Sequence, residues 1–283
     1  MIDRKFSAAA VMDPPHPALQ SLLASPVANS PGVLISEFLE WFGDLGIFFW
    51  QVLRAAVTPP FEFRELFRQL DEIGSKSLPL VALAGAATGV VLSLEARYSL
   101  TRFGAKSLLP AAIVFSVIHE TGPIITGLVV SGRVGAGIGA ELASMKVTEQ
   151  IDAIEASAVN PYRLLAATRI LACILMLPLL TLAADACGFL MGWVTQALTE
   201  PVSLHQFINS GFNGAAFNDF LPPTFKTAVF GLIIGLIACF QGMRTRGGAA
   251  GVGRAATSSV VLSSLFVILA DVVLVKLIII FFP

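Results

Sequence analysis

A histidine and a glutamate stand side by side in the segment VIHETGP, Val117–Pro123, within a run of Ile, Val, Leu, Ala and Gly. An isolated buried carboxylate is costly to dehydrate, so Glu120 needs a physical reason to be there. Three roles are open: half of a metal site, the counter-ion of a buried base, or a contact for a molecule that passes through. A metal is not expected, because a helical zinc site requires H-E-x-x-H and position 123 is Pro.

The composition is that of a membrane protein. Of 283 residues, 55% are hydrophobic and 13% are charged, whereas an average soluble domain is roughly 25% charged. The mean hydropathy is +0.81. A net charge of -1 gives no reason to expect nucleic acid. The three cysteines lie in apolar runs without C-x-x-C spacing, so they are expected to be buried and inert.

Five segments are apolar enough to be predicted as membrane spans, because a spanning helix needs roughly 20 apolar residues. The segments have few charges or none, and the second and third are long enough to project beyond the bilayer. In chain order they are Ser77–Leu94, Ser107–Ala140, Ile170–Thr199, Thr227–Met243 and Ala255–Phe282.

The residues before the first span divide into a tail and two short helices. Residues 1–32 are rich in Pro and Ala and are predicted to be a disordered tail. Val33–Val57 carries aromatic residues among four charges, which favours a helix at the membrane interface over a sixth span. Phe61–Ile73 is amphipathic and leads into the first span. We therefore treat 33–73 as one unit and 74–283 as the main domain.

The distribution of Lys and Arg predicts the orientation. If the N-terminus is cytoplasmic, most of the 18 basic residues fall on the cytoplasmic side. The first outer loop opposes this trend with Arg97, Arg102 and Lys106. The total still favours an all-α protein with its N-terminus inside and its C-terminus outside.

This topology places Glu120, Lys226 and Asp271 at a similar depth in the outer half of the membrane. Charges within a membrane usually face a bundle interior or a cavity and pair with one another. Two interpretations stay open. In the first, Glu120 and Lys226 form an ion pair whose role is only structural, holding helices together. In the second, they form a polar rim in an apolar cavity suited to a molecule with a charged head group and apolar tails. Asp185 and Asp271 are expected to be polar contacts between helices.

Small residues recur at every fourth position in the second span, as Ser131–Gly135–Gly139 and Gly132–Ala136–Ala140. The glycines do not form a phosphate-binding loop, because no G-x-x-x-x-G-K-[ST] occurs. Small residues at this spacing let membrane helices approach closely, so helix packing is the expected role. The same spacing recurs at Gly85–Gly89, Gly188–Gly192 and Gly231–Gly235.

A short amphipathic helix is predicted at Thr148–Val159, on the cytoplasmic side between the second and third spans. Thr148 is the expected N-cap, and Glu149 and Asp152 suit the positive start of a helix. Val147, Ile151, Ile154 and Ala158 share one face. A fully solvated connector would need no apolar face, so this helix should pack against the spans or against a soluble partner.

The segment HETGPIITGLVVSGRVGAGIGAELASMKVTEQIDAIEASAVNPYRLLAATRILA, His119–Ala172, resembles the MlaE/YrbE-type permeases of ABC transporters that work with MCE-domain proteins in lipid trafficking. The likeness rests on E-x-G-P, the glycine run around S-G-R, the block M-K-V-T-E-Q-I-D-A-I-E and the N-P that follows. It extends from the helix near Val33 to the C-terminus.

The resemblance implies a homodimeric inner-membrane permease with an interfacial helix, five spans and a cytoplasmic coupling helix. It implies a separate ABC ATPase that binds ATP, a small cytoplasmic accessory subunit and a periplasmic MCE-domain partner. It also implies a phospholipid pocket that includes Glu120 and Lys226, and more loosely Leu100 and Phe103. The coupling residues would be Thr148, Glu149, Gln150, Asp152 and Glu155. Where the family form has an Arg before the glutamate, this chain has His119.

The expected function is therefore transport of phospholipid or a related lipid, with catalysis and nucleotide on another chain. No cofactor is expected in this chain. Two alternatives stay open. An ion-coupled secondary carrier would use Glu120 and Asp271 as relay groups and work without ATP. A membrane scaffold would hold other subunits and contain no lipid path.

Overall fold

The fold is helical throughout the part of the chain that the computed structural model describes, which is residues 31–57, 62–213 and 221–281. No strand occurs in these ranges. The predicted disordered tail falls almost entirely on residues 1–30, which lie outside the described ranges. The all-α prediction is confirmed.

The described residues form nine helices. They are α1 (Pro31–Val57), α2 (Phe63–Gly74), α3 (Leu78–Arg102), α4 (Lys106–Val147), α5 (Gln150–Ala156), α6 (Tyr162–Ala197), α7 (Leu204–Phe212), α8 (Leu221–Met243) and α9 (Gly248–Phe281). Helix α4 contains two π-helical turns, Val117–Thr121 and Ser131–Gly135.

Five helices are long and apolar enough to cross a membrane, which confirms the predicted number of spans. They are α2 and α3 taken as one stretch, then α4, α6, α8 and α9. Helix α1 is not among them, in agreement with its predicted place outside the span count. The helices reach beyond the predicted segments, because charged residues at a helix end cost little when they extend past the apolar layer. The orientation of the spans stays a prediction.

The chain divides into two compact units between Ile47 and Phe48, within α1. In the second unit, Phe48, Val52 and Ala55 are buried on one face of α1. The Phe48 ring packs edge-on against Tyr162 and Phe240, with ring centroids 5.8 and 5.6 Å away. These three residues recur at intervals of four and three, so they share one face of the helix. This face anchors the end of α1 to α6 and α8.

Close backbone contact joins α3 to α6. A Cβ added at Gly85 would overlap the carbonyl of Ala184, and one added at Gly89 would overlap the carbonyl of Gly188. The predicted role of the Gly85–Gly89 and Gly188–Gly192 pairs in helix packing is confirmed here. Because there is no side chain between them, the two backbones lie close enough for dispersion contacts along the whole seam.

The two small-residue ladders of α4 differ in their surroundings. Gly139 lies against Ser259 and the Ala255 carbonyl of α9, whereas Gly132 has no atom within 4 Å of an added Cβ. The packing at Gly135 is of intermediate tightness, with Ser263 Oγ 3.4 Å from an added Cβ. The ladder Ser131–Gly135–Gly139 therefore packs within the chain, and the position of Gly132 is open among the described residues.

Helix α7 was not predicted, since its sequence lay within an expected outer loop. Its signal is a capping box, S-L-H-Q, in which Ser203 Oγ accepts a hydrogen bond from the backbone N–H of Gln206 at 3.2 Å. Phe207 of α7 is fully buried against Leu109, Ile113 and Val117 of α4.

The loop before α7 is held by two ion pairs. The Glu200 carboxylate accepts hydrogen bonds from Arg97 and Lys106, each at 3.1 Å. The hydrogen bond from Lys106 lowers the pKa of Glu200.

The difference between neighbouring glycines of α4 gives a matched test of packing. Gly139→Leu should destabilise the protein by about 1–3 kcal/mol, because the new side chain must displace Ser259 and the α9 backbone. Gly137→Leu is the control, since nothing lies within 4 Å of its added Cβ. Thermal unfolding in detergent measures both variants. Equal midpoints for the two would contradict this account of the α4–α9 seam.

Candidate functional site

Lys226 is a buried cation near the start of α8. The residue is 3% exposed, and its Nζ lies 3.0 Å from Glu120 Oε2 and 2.9 Å from Asp271 Oδ1. These carboxylates come from α4 and α9, so one ammonium group joins three helices. The predicted pairing of Glu120 with Lys226 is seen directly, and Asp271 completes a triad.

Glu120 differs from its partners in exposure. Its side chain is 48% exposed, whereas those of Lys226 and Asp271 are 1% and 5% exposed. It lies in the π-helical turn Val117–Thr121, where Thr121 Oγ1 donates to the Ser116 carbonyl at 2.7 Å. Single π turns inside α-helices occur often at functional sites. Here the turn presents a carboxylate at the edge of a buried ion pair.

His119 turns toward Phe115 of its own helix. The two rings are stacked, with centroids 3.9 Å apart and an angle of 22° between their planes. The Phe115 side chain is itself largely exposed, so the stacked pair lies at the surface of α4. Ring stacking therefore orients the His119 side chain along its own helix.

Asp185 brings a further carboxyl group close to this site from α6. It is buried, and its Oδ1 occupies the space where a Cβ of residue 122 would stand, so Gly122 is required there. Within the described part of the chain this oxygen has no hydrogen-bond partner. Asp185 therefore lies in close contact with α4 at Gly122, but the described residues show neither the expected polar contact between helices nor a direct pairing with the lysine.

An apolar groove opens beside Lys226, between α8 and α9. We call it the Lys226 groove; its volume is about 400 Å³, and it is lined by Leu221, Pro222, Phe225, Lys226, Val229, Leu274 and Ile278. Phe225 is 64% exposed, so the groove is open to the surroundings of the chain. A single cationic side chain, itself almost fully buried, thus belongs to the lining of an otherwise apolar groove.

Leu100 and Phe103 lie outside the Lys226 groove. Leu100 packs on the cluster that Leu109, Ile113 and Phe207 form where α7 covers α4. Phe103 follows the last residue of α3 and is 83% exposed. Neither lines the Lys226 groove, and their part in binding lipid stays a prediction.

The predicted helix between the second and third spans is present as α5, in a shorter form. The expectation that Thr148 is its N-cap is wrong. Thr148 follows the last residue of α4, and its Oγ1 donates back to the Ser144 carbonyl at 2.8 Å. A threonine hydroxyl can bond the carbonyl four residues earlier as readily as it can cap the next helix, so sequence alone could not separate the two.

Glu149 makes the sharp turn into α5. Its φ of 60° is in the left-handed region, and Ala158 after α5 has the same value. Such conformations cost about 1–3 kcal/mol for residues other than glycine, and they cluster at functional sites. The turn leaves Glu149, Gln150, Asp152 and Glu155 exposed, while Ile151 is buried. Part of the apolar face thus packs on the protein's own spans, and an acidic face points outward.

The triad can be tested through stability. Lys226→Met should cost about 3–5 kcal/mol, because it leaves Asp271 buried without a counter-charge. Adding Asp271→Asn should recover most of the loss, since the stranded charge is removed. Denaturant titration in detergent micelles measures the series. If the double variant is no more stable than Lys226→Met, the lysine does not balance Asp271.

Most of the chain is similar in sequence to proteins described as transporter permeases. Residues 66–277 match the family model described as Permease MlaE. A protein of Rickettsia felis named "Probable ABC transporter permease protein" is 35% identical over 251 residues, which cover 89% of this chain and 97% of the relative. A Synechocystis protein with a similar name is 32% identical over 208 residues, or 74% and 79% of the two chains.

A more distant relative comes from a plant. The Arabidopsis thaliana protein named "TRIGALACTOSYLDIACYLGLYCEROL 1, chloroplastic" is 31% identical over 224 residues, which cover 79% of this chain and 64% of the relative. The family model spans α3 through most of α9, together with the residues of the triad. With five helices able to cross a membrane and this match, the chain belongs to the MlaE permease family and is a multi-pass transporter permease subunit.

Proposed function

We propose that this permease moves phospholipid, or a related lipid with an anionic head group, through a path that includes the Lys226 groove. The observation that carries the proposal is the position of one buried ammonium at the edge of an open apolar groove. An anionic head group would bind Lys226, and an acyl chain would lie along Phe225, Val229 and Leu274. Neither a small hydrophilic solute nor a simple ion needs such an apolar surface.

The unequal exposure of the two acids suggests how a head group would bind. Asp271 is almost fully buried and stays with Lys226, whereas Glu120 is half exposed and can turn toward water. A lipid phosphate would therefore replace the Glu120 carboxylate on the ammonium, exchanging one charge-assisted hydrogen bond for another. Release of the lipid would return Glu120 to Lys226, so the empty site is never left with an unpaired buried charge.

The lipid assignment has further support from a relative. The Arabidopsis protein carries the name of a glycerolipid, trigalactosyldiacylglycerol. A permease of an ABC transporter needs an ATPase partner, and we infer that this ATPase docks on the acidic face of α5. The family resemblance adds a second copy of this chain, a small accessory subunit and an MCE-domain protein on the far side of the inner membrane. These partners and the direction of transport belong to the proposal.

The ion-coupled carrier is the second candidate, and a specific observation favours it. One lysine and three carboxyl groups meet in this region, from Glu120, Asp185, Lys226 and Asp271, so the acids outnumber the base. Such clusters serve as proton relays in some transporters. Proteoliposomes that contain only this chain distinguish the candidates. Transport driven by an ion gradient without ATP would support the carrier.

The central test neutralises the triad without stranding a charge. The variant Glu120→Gln, Lys226→Met, Asp271→Asn should fold and bind its ATPase, but its lipid transfer should fall on the order of tenfold or more, because the head group loses its ionic partner. Lys276→Met on α9 is the control, since Lys276 lies outside the groove lining. Transfer of labelled phospholipid between vesicles measures activity. A fully active triple variant would leave the triad as a helix lock only.

The second test concerns docking on α5. Glu149→Lys with Asp152→Lys should weaken ATPase binding and leave membrane insertion intact, because charge reversal at an interface rim acts through association and register. The control is Ala158→Gly, which relaxes the second left-handed residue and keeps every charge. Co-purification and ATP turnover are the measurements. Wild-type stoichiometry and turnover in the double variant would exclude α5 as the docking element.

A further inference from the structure

A cleft separate from the Lys226 groove lies between α2 and the second half of α4. We call it the α2–α4 cleft; it has a volume of about 550 Å³. Its lining combines charged and apolar side chains and includes Arg68, Glu72, Ile73, Arg133, Val134 and Ile138. Thirteen residues of α4 separate Glu120 from Arg133, or about 20 Å along a helix. The cleft is therefore at another depth from the triad.

One cation of this cleft takes part in no ion pair among the described residues. Arg68 pairs with Glu65 at 2.8 Å, Glu72 pairs with Lys76, and Glu141 at the cleft edge pairs with Arg169 at 2.8 Å. Arg133 has no carboxylate partner among the described residues. Among the charged residues that line the cleft, Arg68, Glu72 and Glu141 are each engaged in an ion pair, and Arg133 is the one for which the described residues supply none.

Arg133 is held in a fixed position by the protein. Its Nη1 donates to Ser77 Oγ at 2.6 Å and to the Glu72 carbonyl at 3.4 Å. The residue lies in the π-helical turn Ser131–Gly135, and Gly137 below it has nothing within 4 Å of an added Cβ. A guanidinium group has five N–H donors, so the remaining donors are available to an anion in the open space.

The surroundings favour an amphiphile over a small ion. Ile73, Val134 and Ile138 contribute an apolar surface within the cleft, and Phe63 and Phe67 of α2, which are not part of its lining, are 61% and 68% exposed. Exposed aromatic residues next to arginines are typical of helices that lie at a lipid interface. A phosphate at Arg133 would thus have room for an attached acyl chain along the apolar residues.

We propose that the α2–α4 cleft binds the phosphate group of an acidic phospholipid from the leaflet nearest α5. Arg133 is the anion-binding residue, and Ser77 positions it. This site does not depend on the Lys226 groove or on the function proposed for that groove. It gives the protein a second phospholipid contact on the side where its ATPase is expected to act.

The test counts phosphatidylglycerol molecules retained by the purified full-length chain in native mass spectrometry. Arg133→Gln should weaken retention at one site on the order of tenfold, because a charge-assisted contact is lost. Gly137→Leu should do the same by filling the cleft without changing any charge. Gly253→Leu is the control, since that helix position is also open. The Lys226→Met, Asp271→Asn variant should keep this lipid.

Four results would overturn the proposal. Unchanged phosphatidylglycerol retention in both Arg133→Gln and Gly137→Leu would show that the cleft does not bind the lipid. Displacement of the lipid by an equal concentration of inorganic phosphate would show a free-phosphate site. Unchanged lipid with reduced ATPase co-purification would show a protein contact. Loss of the same lipid in the Lys226 variant would mean that the two sites are not separate, whereas loss of transport there concerns only the triad.

Discussion

A buried ammonium group must be compensated by nearby negative charge, and that requirement organises the helices around Lys226. Lys226 can be 3% exposed in an apolar bundle because α9 brings it a buried carboxylate and α4 a half-exposed one. Helices α8 and α9 could not separate at this level without leaving unpaired buried charges. The same ion pairs fix the lysine beside the apolar groove.

Hydropathy and charge placement were enough to predict the five spans and the common depth of Glu120, Lys226 and Asp271. Both follow from long-range averages, namely the length of apolar runs and the distance of a residue from its span end. Sequence could not say which carboxyls touch the lysine. Asp185 and Asp271 are both single acids within apolar spans, and only helix rotation places Asp271 at 2.9 Å and turns Asp185 toward Gly122.

Local geometry was the harder part to predict. The spacing of glycines indicated close packing, but it could not show that Gly139 lies against Ser259 while Gly132 and Gly137 are open. Helix α7 was not predicted although its capping box is present in the sequence, because a helix of nine residues is much shorter than the apolar runs that identify spans. The left-handed Glu149 was not predictable, since glutamate has no preference for that conformation and tertiary contacts must impose it.

The π-helical turns of α4 have a consequence for how this helix can change over evolution. Each π turn accommodates one residue more than an α-helical turn, so it shifts every later side chain around the axis by about 100°. Glu120 and Gly139 lie on opposite sides of the turn at Ser131–Gly135 and both face α9 or its neighbours. Removing one residue at that turn would restore a regular helix and rotate the glycine seam away from α9 while the triad stayed in place. Helix α4 should therefore tolerate many substitutions but very few changes of length.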